Sequence, residues 1–115
     1  MIDFQHEIKD NIIHITLSGD LIGENKGPGI INVLNDYLEN GNKQALVDIE
    51  EVRYMNSSGI GVLITVLTKL RNKGGDMALL NPSEQVEKLL VITKLKNIFN
   101  VFNEQSEAIS FLRSK

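Results

Sequence analysis

The chain has 115 residues, with 15 Asp and Glu against 12 Lys and Arg for a net charge of -3, and it contains no cysteine. That length suits one domain with a real core, the scattered basic residues make no nucleic-acid footprint, and the missing cysteines exclude disulfides, thiol catalysis and thiolate metal sites. Met1-Ile2-Asp3-Phe4-Gln5-His6 lacks the basic start and apolar core of a signal peptide, and the apolar run from Ile60 is far shorter than the roughly twenty residues of a bilayer span, so a soluble, cytoplasmic, single-domain protein over residues 1–115 is expected.

Ile2, Phe4, His6 and Ile8 alternate with Asp3, Gln5, Glu7 and Lys9, which predicts a half-buried first strand. Asp10-Asn11 reads as a turn. Beyond it Ile13, Ile15 and Leu17 alternate with His14, Thr16 and Ser18, so the two runs predict an antiparallel hairpin. Histidine is a common base and metal ligand, but neither His6 nor His14 has a second ligand or a nucleophile at a useful spacing, and both read as structural or solvent-facing. The glycine-rich stretch from Ser18 to Gly29 resembles a phosphate cradle only superficially. Gly27-Pro28-Gly29 is not followed by Lys and Ser or Thr, and the G-x-G-x-x-G spacing is missing, so the stretch is read as a loop. Pro28 suits the first position of a helix. In that helix Ile30, Ile31, Val33, Leu34, Tyr37 and Leu38 recur at helical spacing as a core stripe, and Asn40-Gly41-Asn42 closes it.

Ala45 to Ile49 predicts a short buried strand, and Glu50-Glu51-Val52-Arg53 a polar connection. Tyr54-Met55-Asn56-Ser57-Ser58-Gly59-Ile60-Gly61 then leads into a second helix. On it Ile60, Leu63, Ile64, Leu67 and Leu70 form one stripe, Val62 and Val66 lie on its flank, and Lys69, Arg71 and Lys73 occupy the C-terminal turns, where cations suit the helix dipole. Gly74-Gly75 ends this helix, and Met77 to Leu80 reads as a buried strand. Asn81-Pro82-Ser83 starts a third helix with Val86, Leu89, Leu90 and Ile92 facing inward. Ile98 to Phe102 predicts a last strand, and Ser106 to Leu112 a terminal helix. This strand–loop–helix succession predicts an α/β fold, a mixed central sheet of four to five strands with about four helices. No repeat, linker or low-complexity segment is present, so function resides in a site or surface of this one domain.

The turn at Asn56-Ser57-Ser58 has the most chemistry. Side-chain oxygens there can serve the unpaired amides of a first helical turn, and a plain N-cap is enough to account for them. Those amides and the dipole also favour negative charge, so a phosphate carried by a serine would be stabilised in place. No nucleophile, base and orienting group can be assembled around the two histidines. The G-x-S-x-G elbow is absent, so Ser57 and Ser58 do not read as hydrolase nucleophiles and the chain does not read as an enzyme.

Met55-Asn56-Ser57-Ser58-Gly59-Ile60-Gly61-Val62, together with Leu46-Val47-Asp48-Ile49, Gly19-Asp20-Leu21 and Gly74-Gly75-Asp76-Met77, resembles the STAS domain of bacterial anti-sigma-factor antagonists over essentially the whole chain. In that family the motif reads Asp-Ser-Ser-Gly or Asp-Ser-Thr-Gly, and the serine after the acid is phosphorylated by a partner that is both serine kinase and anti-sigma factor. The resemblance implies phosphorylation at Ser57 and a partner surface of Asp20, Asn56, Ser57, Ser58, Gly59, Gly61 and Val62. It implies no cofactor and no metal, a serine phosphatase as a further partner, and no direct contact with nucleic acid or membrane. The sequence departs from the family at Asn56, where aspartate is usual; Asn keeps the shape and capping capacity and loses the charge beside the hydroxyl. The expected function is an anti-sigma-factor antagonist released by phosphorylation through repulsion rather than unfolding. The alternative is a ligand-binding or transport-associated STAS-like module whose turn holds a nucleotide or lipid phosphate.

Overall fold

The computed structural model describes residues 2–21 and 27–114. Strands β1 (Ile2–Lys9) and β2 (Ile12–Leu21) form the expected antiparallel hairpin. Asp10 and Asn11 close it with φ of 54° and 66°. Two successive left-handed residues give the turn whose twist matches that of its strands, and Asp and Asn tolerate that region better than other side chains. Then follow α1 (Gly27–Glu39), β3 (Gln44–Met55), α2 (Ser57–Asn72), β4 (Asp76–Leu80), α3 (Glu84–Ile92), β5 (Val101–Phe102) and α4 (Gln105–Arg113).

The sheet has the order β1-β2-β3-β4-β5, with β1 antiparallel to β2 and every later neighbour parallel. Three crossovers therefore advance in one direction. Because such crossovers share one hand, their helices land on the same face of the sheet. Ile13, Ile15 and Leu17 of β2, Val47 and Ile49 of β3, and Met77 and Leu79 of β4 accordingly pack with residues of α1, α2 and α3 in one core. The alternate strand residues Ile12, Leu46, Ala78 and Leu80 meet Ala108 and Leu112 of α4 on the opposite face. The predicted α/β domain is thus a five-stranded mixed sheet with four helices.

The expected polar connection Glu50-Glu51-Val52-Arg53 is part of β3. Thr16 pairs with Asp48 but Ser18 with Glu51, and Gly19 pairs with Val52 but Asp20 with Tyr54, so β3 carries one extra residue at each of two irregularities. Each extra residue converts a two-residue repeat into a three-residue one. Ile49, Val52 and Met55 therefore all face the core, while Glu50, Glu51, Arg53 and Tyr54 are exposed. This long β3 also recruits Ser18 to Leu21, expected as loop, into β2, with Gly19 at φ 93° between the irregular registers. Residues 22–26 of that loop lie outside the described residues.

Other differences have local causes. In α2 the buried face is Gly59, Ile60, Leu63, Val66, Leu67 and Leu70, so Val66 replaces Ile64, which is exposed. In α3 Ile92 is 77% exposed instead of inward; two positions beyond buried Leu90, it points about 200° away from it around the helix. The last strand is only Val101–Phe102, because Asn100 at φ 53° cannot extend the ladder, and Phe99 turns inward to fill the core. Among the described side chains of β1, Gln5 to Lys9 are exposed, Phe4 packs against the core, and His6 meets the Tyr37 hydroxyl at 2.9 Å. Asp76, 4% exposed, accepts hydrogen bonds from its neighbour Met77 N–H at 2.8 Å, Arg71 Nε at 3.3 Å and Asn100 Nδ2 at 3.3 Å. It ties the end of α2 to β4 and to the turn before β5.

Candidate functional site

Parallel β2 and β3 end side by side, with Leu21 opposite Met55. Asn56 leaves β3 with extended backbone, φ -104° and ψ -175°, and its Oδ1 accepts the Gly59 N–H at 2.8 Å. Its carbonyl accepts the first helical bond, from Ile60 N–H at 2.9 Å. Asn56 is therefore the N-cap of α2, and neither serine is needed for that task. Ser57 and Ser58 stand exposed at the first two helical positions. The next hydroxyl on that side, Thr65, is bonded to the Gly61 carbonyl at 2.9 Å.

The cap has a measurable consequence. Asn56→Ala is expected to lower stability by about 1 kcal/mol, whereas Asn56→Asp keeps the acceptor and gains up to about 0.5 kcal/mol from the dipole. Urea unfolding of the three proteins checks both values.

The rest of the site is set by register. Asp20 lies opposite Tyr54, and its carboxylate meets Arg53 Nη2 at 3.3 Å. Tyr54 is 56% exposed. Gly61 is half-buried and has open space where a Cβ would stand. Gly59 is buried with its amide committed to the cap, and Val62 is half-buried against the core. The structure thus brings Asp20, Asn56, Ser57, Ser58 and Gly61 to the C-terminal end of the parallel strands β2 and β3, with Gly59 buried and Val62 half-buried. Arg53 and Tyr54 adjoin Asp20 on this surface beyond the residues that the sequence indicates, and the signal that reveals them is the three-residue repeat of β3. No acidic residue lies in the first turn of α2, so the positive helix end is not neutralised by the helix itself and favours an incoming anion. The start of α3 reaches the same strand, because Ser83 caps that helix through Val86 N–H at 3.3 Å and donates to the Val52 carbonyl at 3.0 Å.

The family model of the STAS domain matches residues 3–108. The chain belongs to the STAS domain family. An anti-sigma-B factor antagonist of Staphylococcus aureus is 31% identical to it over 80 residues, 70% of this chain and 73% of the relative. A Thermotoga maritima protein provisionally named an anti-sigma factor antagonist is 28% identical over 112 residues, 97% of this chain and 99% of the relative. The unphosphorylated form of the anti-sigma factor antagonist SpoIIAA superposes with a TM-score of 0.75 at 23% identity, covering 98% of this chain and 100% of that one, and so shares its fold.

In this STAS domain three recesses among the described residues lie away from the candidate residues, the smallest of about 110 Å³ between the β1–β2 turn and α4. Of the larger two, one of about 370 Å³ sits among Asn35, Leu38, Glu39, Lys69, Asn72 and Lys73, and one of about 380 Å³ lies beside Val91 and Ile92. Small-molecule sites are concave and mostly apolar, so an exposed edge of polar groups and small residues suits a protein partner better. Among the described residues no group of three His, Asp or Glu could hold a metal ion, and no helix is long and apolar enough to cross a membrane. The STAS relatives named above are anti-sigma factor antagonists by name.

Proposed function

We propose that this STAS domain is a cytoplasmic anti-sigma-factor antagonist that binds an anti-sigma factor with serine kinase activity, and that phosphorylation of Ser57 ends the binding. The observation that carries this reading is the exposed Ser57 hydroxyl at the first position of α2, with the capping task taken by Asn56. Asp20, Asn56, Ser57, Ser58 and Gly61 form the binding surface; Gly59 holds the cap, and Val62 anchors the flank. Tyr54 adds an exposed aromatic ring beside them. A phosphate brings about two negative charges and three acceptor oxygens. The amide-rich start of α2 tolerates that charge within the domain, so the bound partner is expelled by repulsion and steric conflict while the fold persists. A serine phosphatase would restore the binding form. The domain acts as substrate and binding module and supplies no catalytic residue.

Asn56 preserves the cap, so the position of the acceptor hydroxyl does not depend on a carboxylate there. The experiment is a phosphopeptide map of the chain isolated from its native cells, beside an Asn56→Asp variant. One phosphoryl group on wild-type Ser57 is the expected result. Phosphate on the variant alone would mean an antagonist that binds constitutively. Its absence from both would overturn the proposal in favour of a module that binds a phosphorylated ligand without being modified.

A further inference from the structure

We infer that two copies of this chain pair through the outer edge of β1, antiparallel about a two-fold axis at His6, joining their sheets into one. β1 is an edge strand of eight residues with an unbroken register, no proline and no bulge. Gln5 to Lys9 are all exposed, and Ile8 is 43% exposed. Edge strands of monomeric proteins are usually short, bulged or otherwise blunted, because their unpaired amides and carbonyls template another strand.

The register of the pairing can be worked out. Lys9 and Ile12 flank a two-residue turn, and such a turn makes the flanking residues a hydrogen-bonded pair. Odd-numbered residues of β1 therefore direct their backbone groups to β2, and Phe4, His6 and Ile8 direct theirs outward. An antiparallel ladder between two copies must pair outward residue with outward residue. Registers centred on Phe4, Gln5, His6 and Glu7 meet that condition and join at least five residues of each strand, and the one centred on Phe4 sets no charged residue opposite another. Centring on Gln5 sets Asp3 opposite Glu7 twice, and centring on Glu7 sets two Glu7 residues opposite each other. Like charges directly opposite are destabilising. Centring on His6 sets Asp3 opposite Lys9, Phe4 opposite Ile8 and Gln5 opposite Glu7, each twice by symmetry. Among these longer registers only this one pairs opposite charges and lets apolar residues meet apolar residues on the face that carries α1, α2 and α3.

Charge complementarity thus identifies the occupant as a second copy of the same chain. The paired strands run in opposite directions, so the surfaces around Ser57 lie at opposite ends of the dimer and both stay open. The pairing itself does not depend on the proposed function.

Sedimentation equilibrium of the full chain from about 1 to 500 µM tests it. A monomer–dimer equilibrium is expected, and Lys9→Glu should weaken it about tenfold by setting like charges opposite at two symmetric places. Adding Asp3→Lys to that variant should restore the wild-type equilibrium, which a merely structural role of Lys9 would not predict. Ile8→Pro removes an outward N–H that the monomer does not use, and should abolish the dimer while circular dichroism stays unchanged. A wild type monomeric throughout, or a dimer indifferent to Lys9→Glu, would overturn the inference. Should Ile8→Pro fail to fold, the charge reversal and its rescue still decide.

Discussion

Replacing Ser57 by Ala is expected to leave the anti-sigma factor bound and to make the complex insensitive to ATP, whereas Ser57→Glu weakens binding by on the order of a hundredfold. The geometry explains the asymmetry between the two substitutions. The Ser57 hydroxyl is exposed and the cap of α2 belongs to Asn56, so Ala removes no bond that the fold uses. In the proposed complex Glu would add charge where the partner meets the helix, and a mismatched charge in an interface costs several kcal/mol. Capture of the partner from native cells on tagged wild-type, Ser57→Ala and Ser57→Glu chains, with and without ATP, measures both effects. Release of the Ser57→Ala complex by ATP would move the acceptor to Ser58, the exposed hydroxyl one position on, and Ser58→Ala would then show the loss.

Gly75→Ala is expected to cost about 4 kcal/mol or more, which would unfold many domains of this size. Helix α2 ends in a two-glycine motif. Gly74, at φ 86°, donates its N–H to the Arg71 carbonyl at 3.0 Å, and Gly75 donates to the Leu70 carbonyl at 2.9 Å. This pair of bonds satisfies carbonyls that the helix end leaves open and turns the chain directly into β4. A Cβ on Gly75 would overlap the backbone carbonyl of Lys43. That carbonyl is held in turn, since it accepts the Asp76 N–H at 3.2 Å where β3 and β4 begin to pair at Gln44 and Asp76. Neither backbone can withdraw without breaking the central ladder. Gly61→Ala is the contrast, because its Cβ would enter open space within a helix, and it should add up to about 1 kcal/mol. Urea unfolding of both variants checks the pair, and a loss below about 1 kcal/mol for Gly75→Ala would refute the close-approach argument.

The candidate site was legible in part because its parts are close in sequence. Asn56, Ser57, Ser58 and Gly61 form one short segment, and a polar cluster before an apolar helical run marks a helix start without knowledge of anything distant. Which of the three polar residues would take the cap was not legible, since Asn and Ser serve comparably well at that position. The geometry gave it to Asn56, and that choice is what leaves both serines exposed. Resemblance points to Asp20, whereas in the sequence its neighbours Arg53 and Tyr54 read as a connection and as the lead-in to the turn. They became part of the surface only when β3 proved to continue through them.

Local periodicity in the sequence, by itself, determined the hairpin, the three crossover helices, the terminal helix and the α/β class, because side-chain repeats of two and of about 3.6 follow from backbone geometry within one element. Tertiary structure alone decided three things: the length of β3, the exposed face of α2, and the uncovered edge of β1. Each depends on what lies beside an element rather than within it. Two extra residues in β3 erase its alternation while keeping Val52 and Met55 in the core. Contact with the sheet selects Val66 over Ile64 from an apolar surface that runs most of the way around α2. One-directional crossovers carry the helices toward β5 and, among the described residues, leave β1 paired with a strand on one side only.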